Sequence, residues 1–162
     1  MNKSKILALV LMVFFTPCLI EASTPSGITT TRLEPASGNF SVGQTFPVEI
    51  KIDSKGINVS TVQIYLTYEY NGDIPEIEVQ DADPGMPGTQ IQPGNLPFDY
   101  SLVNSVTIDQ QGKKVASLGI AYTLSGYVSP GEVTFGTISF KAILPINQIT
   151  VSFNQLLSKM IK

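Results

Sequence analysis

Five carboxylates fall close together in this chain, at Asp73, Glu76, Glu78, Asp81 and Asp83. Acidic groups at that density suit two kinds of chemistry. Their oxygens can hold a hard cation such as calcium, or a facing pair can hydrolyse a glycoside by acid–base work. Asp81 and Asp83 are the metal candidates. Their spacing matches no EF-hand loop, and Asp83-Pro84-Gly85 reads equally well as turn chemistry. No carboxylate stands in an apolar setting or motif that would mark it as a catalytic acid, so no catalytic residue is assigned.

The residue types that are missing exclude more. The sequence has no histidine, and Cys18 is its single cysteine. That removes a Ser-His-Asp triad, a cysteine nucleophile beyond Cys18, and any zinc site built on imidazole or thiolate. It also removes intrachain disulfides. Nucleic-acid binding needs clustered cations. Here the net charge is −3, and nine lysines and one arginine are scattered along the chain. The expectation is a binding or structural protein without a cofactor of its own, not an enzyme.

The N-terminus reads as a targeting segment. Lys3 and Lys5 precede an unbroken apolar run from Ile6 to Phe15, and Pro17 breaks the helix near its end. Ala22 offers a small residue for signal peptidase, so residues 1–22 are expected to be a secretory signal peptide. The alternative is an uncleaved membrane anchor, although the run to Ile20 is short for a spanning helix. Cys18 follows Pro17, which disfavours a lipoprotein. Residues 23–27 read as a short linker, and the domain is expected to occupy 28–162, secreted or at the cell surface. Asn39-Phe40-Ser41 and Asn58-Val59-Ser60 match the glycosylation sequon.

After the linker the hydrophobic pattern has a period of two. Phe46, Val48, Ile50 and Ile52 alternate with polar residues or proline. Val62, Ile64, Leu66 and Tyr68 alternate with Gln63, Tyr65 and Thr67, while Leu118, Ile120 and Tyr122 share one face and Ile149, Val151 and Phe153 another. Each run predicts a strand with one buried and one solvated side. Tyr68 and Tyr122 should face the core, leaving Tyr65, Tyr70, Tyr100 and Tyr127 available at the surface. Between Val133 and Leu144 the phase changes at Gly136-Thr137. A bulge or kink is expected there, bending the strand between two sheets. Turn signals at Ser54-Lys55-Gly56, Asn71-Gly72-Asp73, Gln111-Gly112-Lys113 and Ser129-Pro130-Gly131 separate the runs. Residues 81–97 form one long Pro- and Gly-rich loop. The spacing predicts an all-β fold, an antiparallel sandwich of jelly-roll type with eight or nine strands.

Several blocks then carry a family resemblance. Leu33 to Phe46, with its Pro35-Ala36-Ser37-Gly38 turn and Val42-Gly43 before Phe46, resembles the opening of cohesin domains. Val48 to Asp53, Val59 to Tyr70 and Gly131 to Ala142 resemble later cohesin strands, in the family's order. The chain departs from it after Tyr70, where Asn71-Gly72-Asp73 replaces the family's Tyr-Asp-Pro turn. The resemblance covers residues 28–153. It implies a jelly-roll module that binds a dockerin-like protein domain, with calcium entering mainly through that partner.

It also implies a site. The cohesin-type surface is one sheet face, which maps onto Gln63, Tyr65 and Thr67 and onto Ser117, Gly119 and Ala121. Small and amide side chains keep such a face flat, and Tyr65 can anchor a partner. The same residues can equally form a plain solvated face. Two further classes stand beside docking. One is direct polysaccharide binding through exposed tyrosines, which the lack of tryptophan disfavours. The other is a structural, adhesin-like surface protein.

Overall fold

A computed structural model describes residues 30–70, 72–95, 100–107, 115–129, 131–145, 148–154 and 158–161. The targeting segment, the linker and the turn at 111–113 lie outside the described residues.

The described residues form ten strands: β1 (Thr30–Glu34), β2 (Thr45–Asp53), β3 (Val59–Glu69), β4 (Ile77–Val79), β5 (Gln92–Pro93), β6 (Tyr100–Thr107), β7 (Val115–Val128), β8 (Glu132–Ala142), β9 (Ser152–Phe153) and β10 (Lys159–Ile161). There is no helix among the described residues. All pairings are antiparallel, in two sheets. One runs β1-β2-β8, with β4 and β5 sharing the far edge of β8. The other runs β3-β7-β6, with β9 and β10 sharing the free edge of β3. The chain changes sheet between β2 and β3, and again between β7 and β8, as in a jelly roll. The count exceeds eight or nine because β4, β5 and β10 are two or three residues long, too short for alternation to register.

The predicted phases hold in both sheets. Ile50, Ile52, Val62, Ile64, Leu66, Leu118, Ile120, Ile138 and Phe140 are almost wholly buried and form one core between the sheets. Phe140 is fully buried in it, 5.7 Å from the ring of Phe46 and edge-on to Tyr68 at 6.2 Å. The Ser54-Lys55-Gly56 turn carries the chain from one sheet to the other. Lys55 and Gly56 take φ of 53° and 81°, and the Ile57 amide donates to the Ser54 carbonyl at 3.0 Å.

The phase change in β8 is a bulge. Ile50 faces Gly136 while Lys51 faces Thr134, so Phe135 is the extra residue. Phe135 and Gly136 are then buried consecutively, and alternation resumes at Ile138. The expected bend between sheets does not occur, because β8 stays paired with β2 along its length. The bulge instead opens a slot for the Pro-rich loop. Gly94 donates its amide to the Phe135 carbonyl at 3.0 Å. A Cβ on Gly94 would sit 1.9 Å from the Thr134 carbonyl oxygen, so only glycine fits there.

Two expectations need correction. Tyr70 is buried at 5% exposure, because it keeps the phase of Tyr68 beyond the end of β3. The run from Ile149 to Phe153 pairs only at Ser152 and Phe153; its apolar residues are half-buried against the core.

Candidate docking face

Since Val62, Ile64, Leu66 and Tyr68 point inward, Gln63, Tyr65 and Thr67 must point outward from β3. Register places Gln63 opposite Ala121, Tyr65 opposite Gly119 and Thr67 opposite Ser117. The six residues selected from sequence therefore form three cross-strand pairs on adjacent strands. Sequence reasoning missed how far the face extends. β6 adds Val103 opposite Ala121, Ser105 opposite Gly119 and Thr107 opposite Ser117. Lys159 of β10 stands opposite Gln63. Strand β6 was hard to read because a bulge between Ser101 and Val103 breaks its alternation, and polar Asn104 fills an inward position.

Tyr65 is the best-supported side chain of the face. Gly119 has no Cβ, and the space one would occupy is taken by the Tyr65 ring: Cε1 lies 2.6 Å and Cδ1 3.1 Å from that position. Val103 Cγ1 closes the far side at 3.3 Å. Gly119 is thus buried under the tyrosine and is not an open patch of backbone. The main chain of Tyr65 is also fixed. Ser158, which immediately precedes β10, lies against it: its Oγ accepts from the Tyr65 amide at 2.9 Å and donates to its carbonyl at 3.1 Å. The Asn154 amide donates to the same carbonyl at 2.7 Å.

The face carries few charges. From Thr61 to Thr67, and across β7 to β6, its outward positions are threonine, serine, glutamine, tyrosine, glycine, alanine and valine. Lys159 and Glu69 mark its rim.

The outer face of the other sheet differs. Arg32 pairs with Glu34 at 3.2 Å and with Glu132, donating from Nη2 to Oε1 at 3.0 Å. Lys51 pairs with Glu49 and donates to Thr134 Oγ1 at 2.7 Å. Lys55 pairs with Asp53. Hydrogen bonding from these cations holds Glu132, Glu49 and Asp53 below the usual carboxylate range. That face is a compensated ionic lattice exposed to water.

Asp81 and Asp83 are exposed and bond to their own loop. Asp81 Oδ1 accepts from the amides of Asp83 at 3.1 Å and Gln90 at 3.0 Å, and Asp83 Oδ1 accepts from Gly85 at 3.2 Å. Among the described residues no three acidic side chains converge as metal ligands. Of the tyrosine side chains described, Tyr68 and Tyr70 are buried and Tyr65 is half-buried, whereas Tyr127 is 67% exposed; those of Tyr100 and Tyr122 lie outside the described ones.

No protein-family profile matches the sequence, and no curated protein matches it significantly. Solved structures do. The chain is similar to the structure of a type II cohesin–X–dockerin complex from Acetivibrio cellulolyticus, with a TM-score of 0.50 and 17% identity over 77% of this chain and 75% of that one. It is similar in the same degree to the second type II cohesin module of the adaptor scaffoldin ScaA of that organism, with a TM-score of 0.50 and 16% identity over 80% of this chain and 72% of that one. The class these define is an all-β sandwich with a cohesin-like fold.

Proposed function

We propose that this chain is a non-catalytic docking module whose β3–β7 face binds a dockerin-like protein domain. The observation that carries the reading is the contrast between its two faces. One is studded with ion pairs that are satisfied within the chain. The other carries charge only at its rim and is built of small side chains, with one tyrosine held from two directions, on a scaffold similar to a module solved in complex with a dockerin. Desolvating such a face costs little, because few charges lose water there, and protein interfaces are depleted of charge at their centres. In this reading the module is exported and works at the cell surface, in polysaccharide binding or breakdown. Calcium belongs to the partner.

The test is a pull-down from the source organism's secreted and surface fractions, with and without calcium, beside a binding assay on insoluble polysaccharide. Calcium-dependent capture of a protein with a dockerin-like repeat supports the reading. Retention on polysaccharide with no protein captured replaces it with direct glycan binding.

A further inference from the structure

Two sequons in this chain offer an asparagine for N-linked glycosylation, and the fold treats them differently. A glycosyltransferase must reach the asparagine amide and also bind the hydroxyl two residues further on. Both side chains must be accessible, and neither can be committed to the protein's own hydrogen bonds.

The sequon at residues 58–60 does not meet those conditions. Asn58 is exposed, but Val59 is the first residue of β3 and is buried in the core. Ser60 donates its hydroxyl to the Ile161 carbonyl at 3.2 Å. An enzyme could engage this sequon only by lifting the start of β3 away from the core and from β10.

The sequon at residues 39–41 does meet them. It lies outside any strand, in the connection from β1 to β2. Half-buried Phe40 is its inward member: the ring stacks on Phe46 at 3.5 Å and fills the space that a Cβ on Gly38 would take. Asn39 and Ser41, on either side of it, are exposed. Ser41 is held by its main chain alone. Its amide donates to Gln44 Oε1 at 3.0 Å, and its carbonyl accepts from the Gln44 amide at 2.9 Å. Among the described residues, neither the Asn39 amide nor the Ser41 hydroxyl makes a hydrogen bond. The loop is thus fixed without using the two groups that a transferase reads.

We propose that Asn39 carries an N-linked glycan in the exported chain, a reading that rests on the export expected of the N-terminal segment. In the transfer, the Asn39 amide nitrogen bonds to the anomeric carbon of an oligosaccharide carried on a polyprenyl phosphate. The bond from that carbon to the carrier's phosphate oxygen breaks, the carrier leaves with the electron pair, and the amide gives up one proton to a base. The glycan starts from the ion-paired sheet and not from the docking sheet. It also starts three residues from Val42, an exposed apolar side chain that a bulky, polar sugar would shield.

Mass spectrometry of the full chain, recovered from the source organism's secreted and surface fractions, tests this. Trypsin cuts after Arg32, Lys51, Lys55 and Lys113, so the two sequons fall in separate peptides, residues 33–51 and 56–113. Peptide 33–51 should carry added sugar mass, and peptide 56–113 should have its bare mass. Asn39→Gln and Ser41→Ala should each return peptide 33–51 to its bare mass, while Ser41→Thr should keep the sugar. Sugar that survives Asn39→Gln is linked to a hydroxyl and overturns the proposal. So does sugar on peptide 56–113 in place of 33–51. An exported chain with a bare peptide 33–51 sinks the proposal alone, whereas a chain found only inside the cells sinks the export reading and the proposal with it.

Discussion

Tyr65 is held by its ring over Gly119 and by its main chain through Ser158, so a partner meets a side chain whose position is already set. Pre-ordering of that kind lowers the entropy lost on binding. Tyr65→Ala should weaken partner binding by ~1 kcal/mol or more, about fivefold or greater, while thermal unfolding stays near that of the parent. Affinity unchanged on titration would move the site off this face. Glu132 offers a second residue-scale prediction. Its carboxyl is held below the ordinary range chiefly by the hydrogen bond from Arg32. A lowered folded-state pKa means that the stabilisation is present above the unfolded value and is lost as pH falls through the folded one. A carboxylate NMR titration should therefore place the Glu132 midpoint below that of an unperturbed glutamate, and Arg32→Ala should bring it back up. An equal midpoint in parent and variant would show that the pair does not form in solution.

At the scale of elements, the Pro-rich loop is ordered by borrowed strand chemistry. Asn104 points inward from β6, and its amide bonds Ile91 at both main-chain groups: Oδ1 accepts from the Ile91 amide and Nδ2 donates to its carbonyl, each at 2.9 Å. One side chain thus supplies the pairing that a neighbouring strand would give, and it ties the loop to the docking sheet. Three residues further on, Gly94 seats against the β8 bulge. Asn104→Leu has nearly the same volume but leaves both Ile91 groups unpaired. It should cost roughly 1–3 kcal/mol in chemical denaturation, with faster amide exchange at Ile91. A neutral result would mean that water replaces the amide without loss.

At the scale of the whole molecule, the two faces divide the roles of solubility and recognition. Binding through an uncharged face should respond weakly to ionic strength, because salt screens exposed charge pairs and little else. The affinity measured at low salt should change less than about threefold at 0.5 M, a range that steered, charge-paired interfaces exceed. A steep salt dependence would point to the ionic lattice of the other sheet. The core that separates the faces is tied at Phe140, which touches Phe46 in its own sheet and Tyr68 across the sandwich. Phe140→Ala should cost ~3–5 kcal/mol, measured as the shift in denaturation midpoint at constant slope. A loss under ~1 kcal/mol would show that this end of the core collapses around the gap.

By itself, the order of residues determined the strand phases and the all-β class. Burial alternates with a period of two whatever the neighbours, so Phe46 to Ile52 and Val62 to Tyr68 declare their inner faces locally. It also announced the bulge, since the phase change at Gly136 has no other remedy within a paired strand. The six residues from Gln63 to Ala121 could be named only through the family resemblance, and their pairing across β3 and β7 came with the register. Only the tertiary structure decided the rest. Local pattern cannot show that β8 stays in one sheet, that Ser158 from the end of the chain locks Tyr65, or that Gly119 disappears beneath a ring from another strand. Nor can it recover β6, whose signal is spoiled by a bulge and an inward asparagine. These features depend on contacts between residues far apart in sequence, and a period of two carries no information about which strand will lie alongside which.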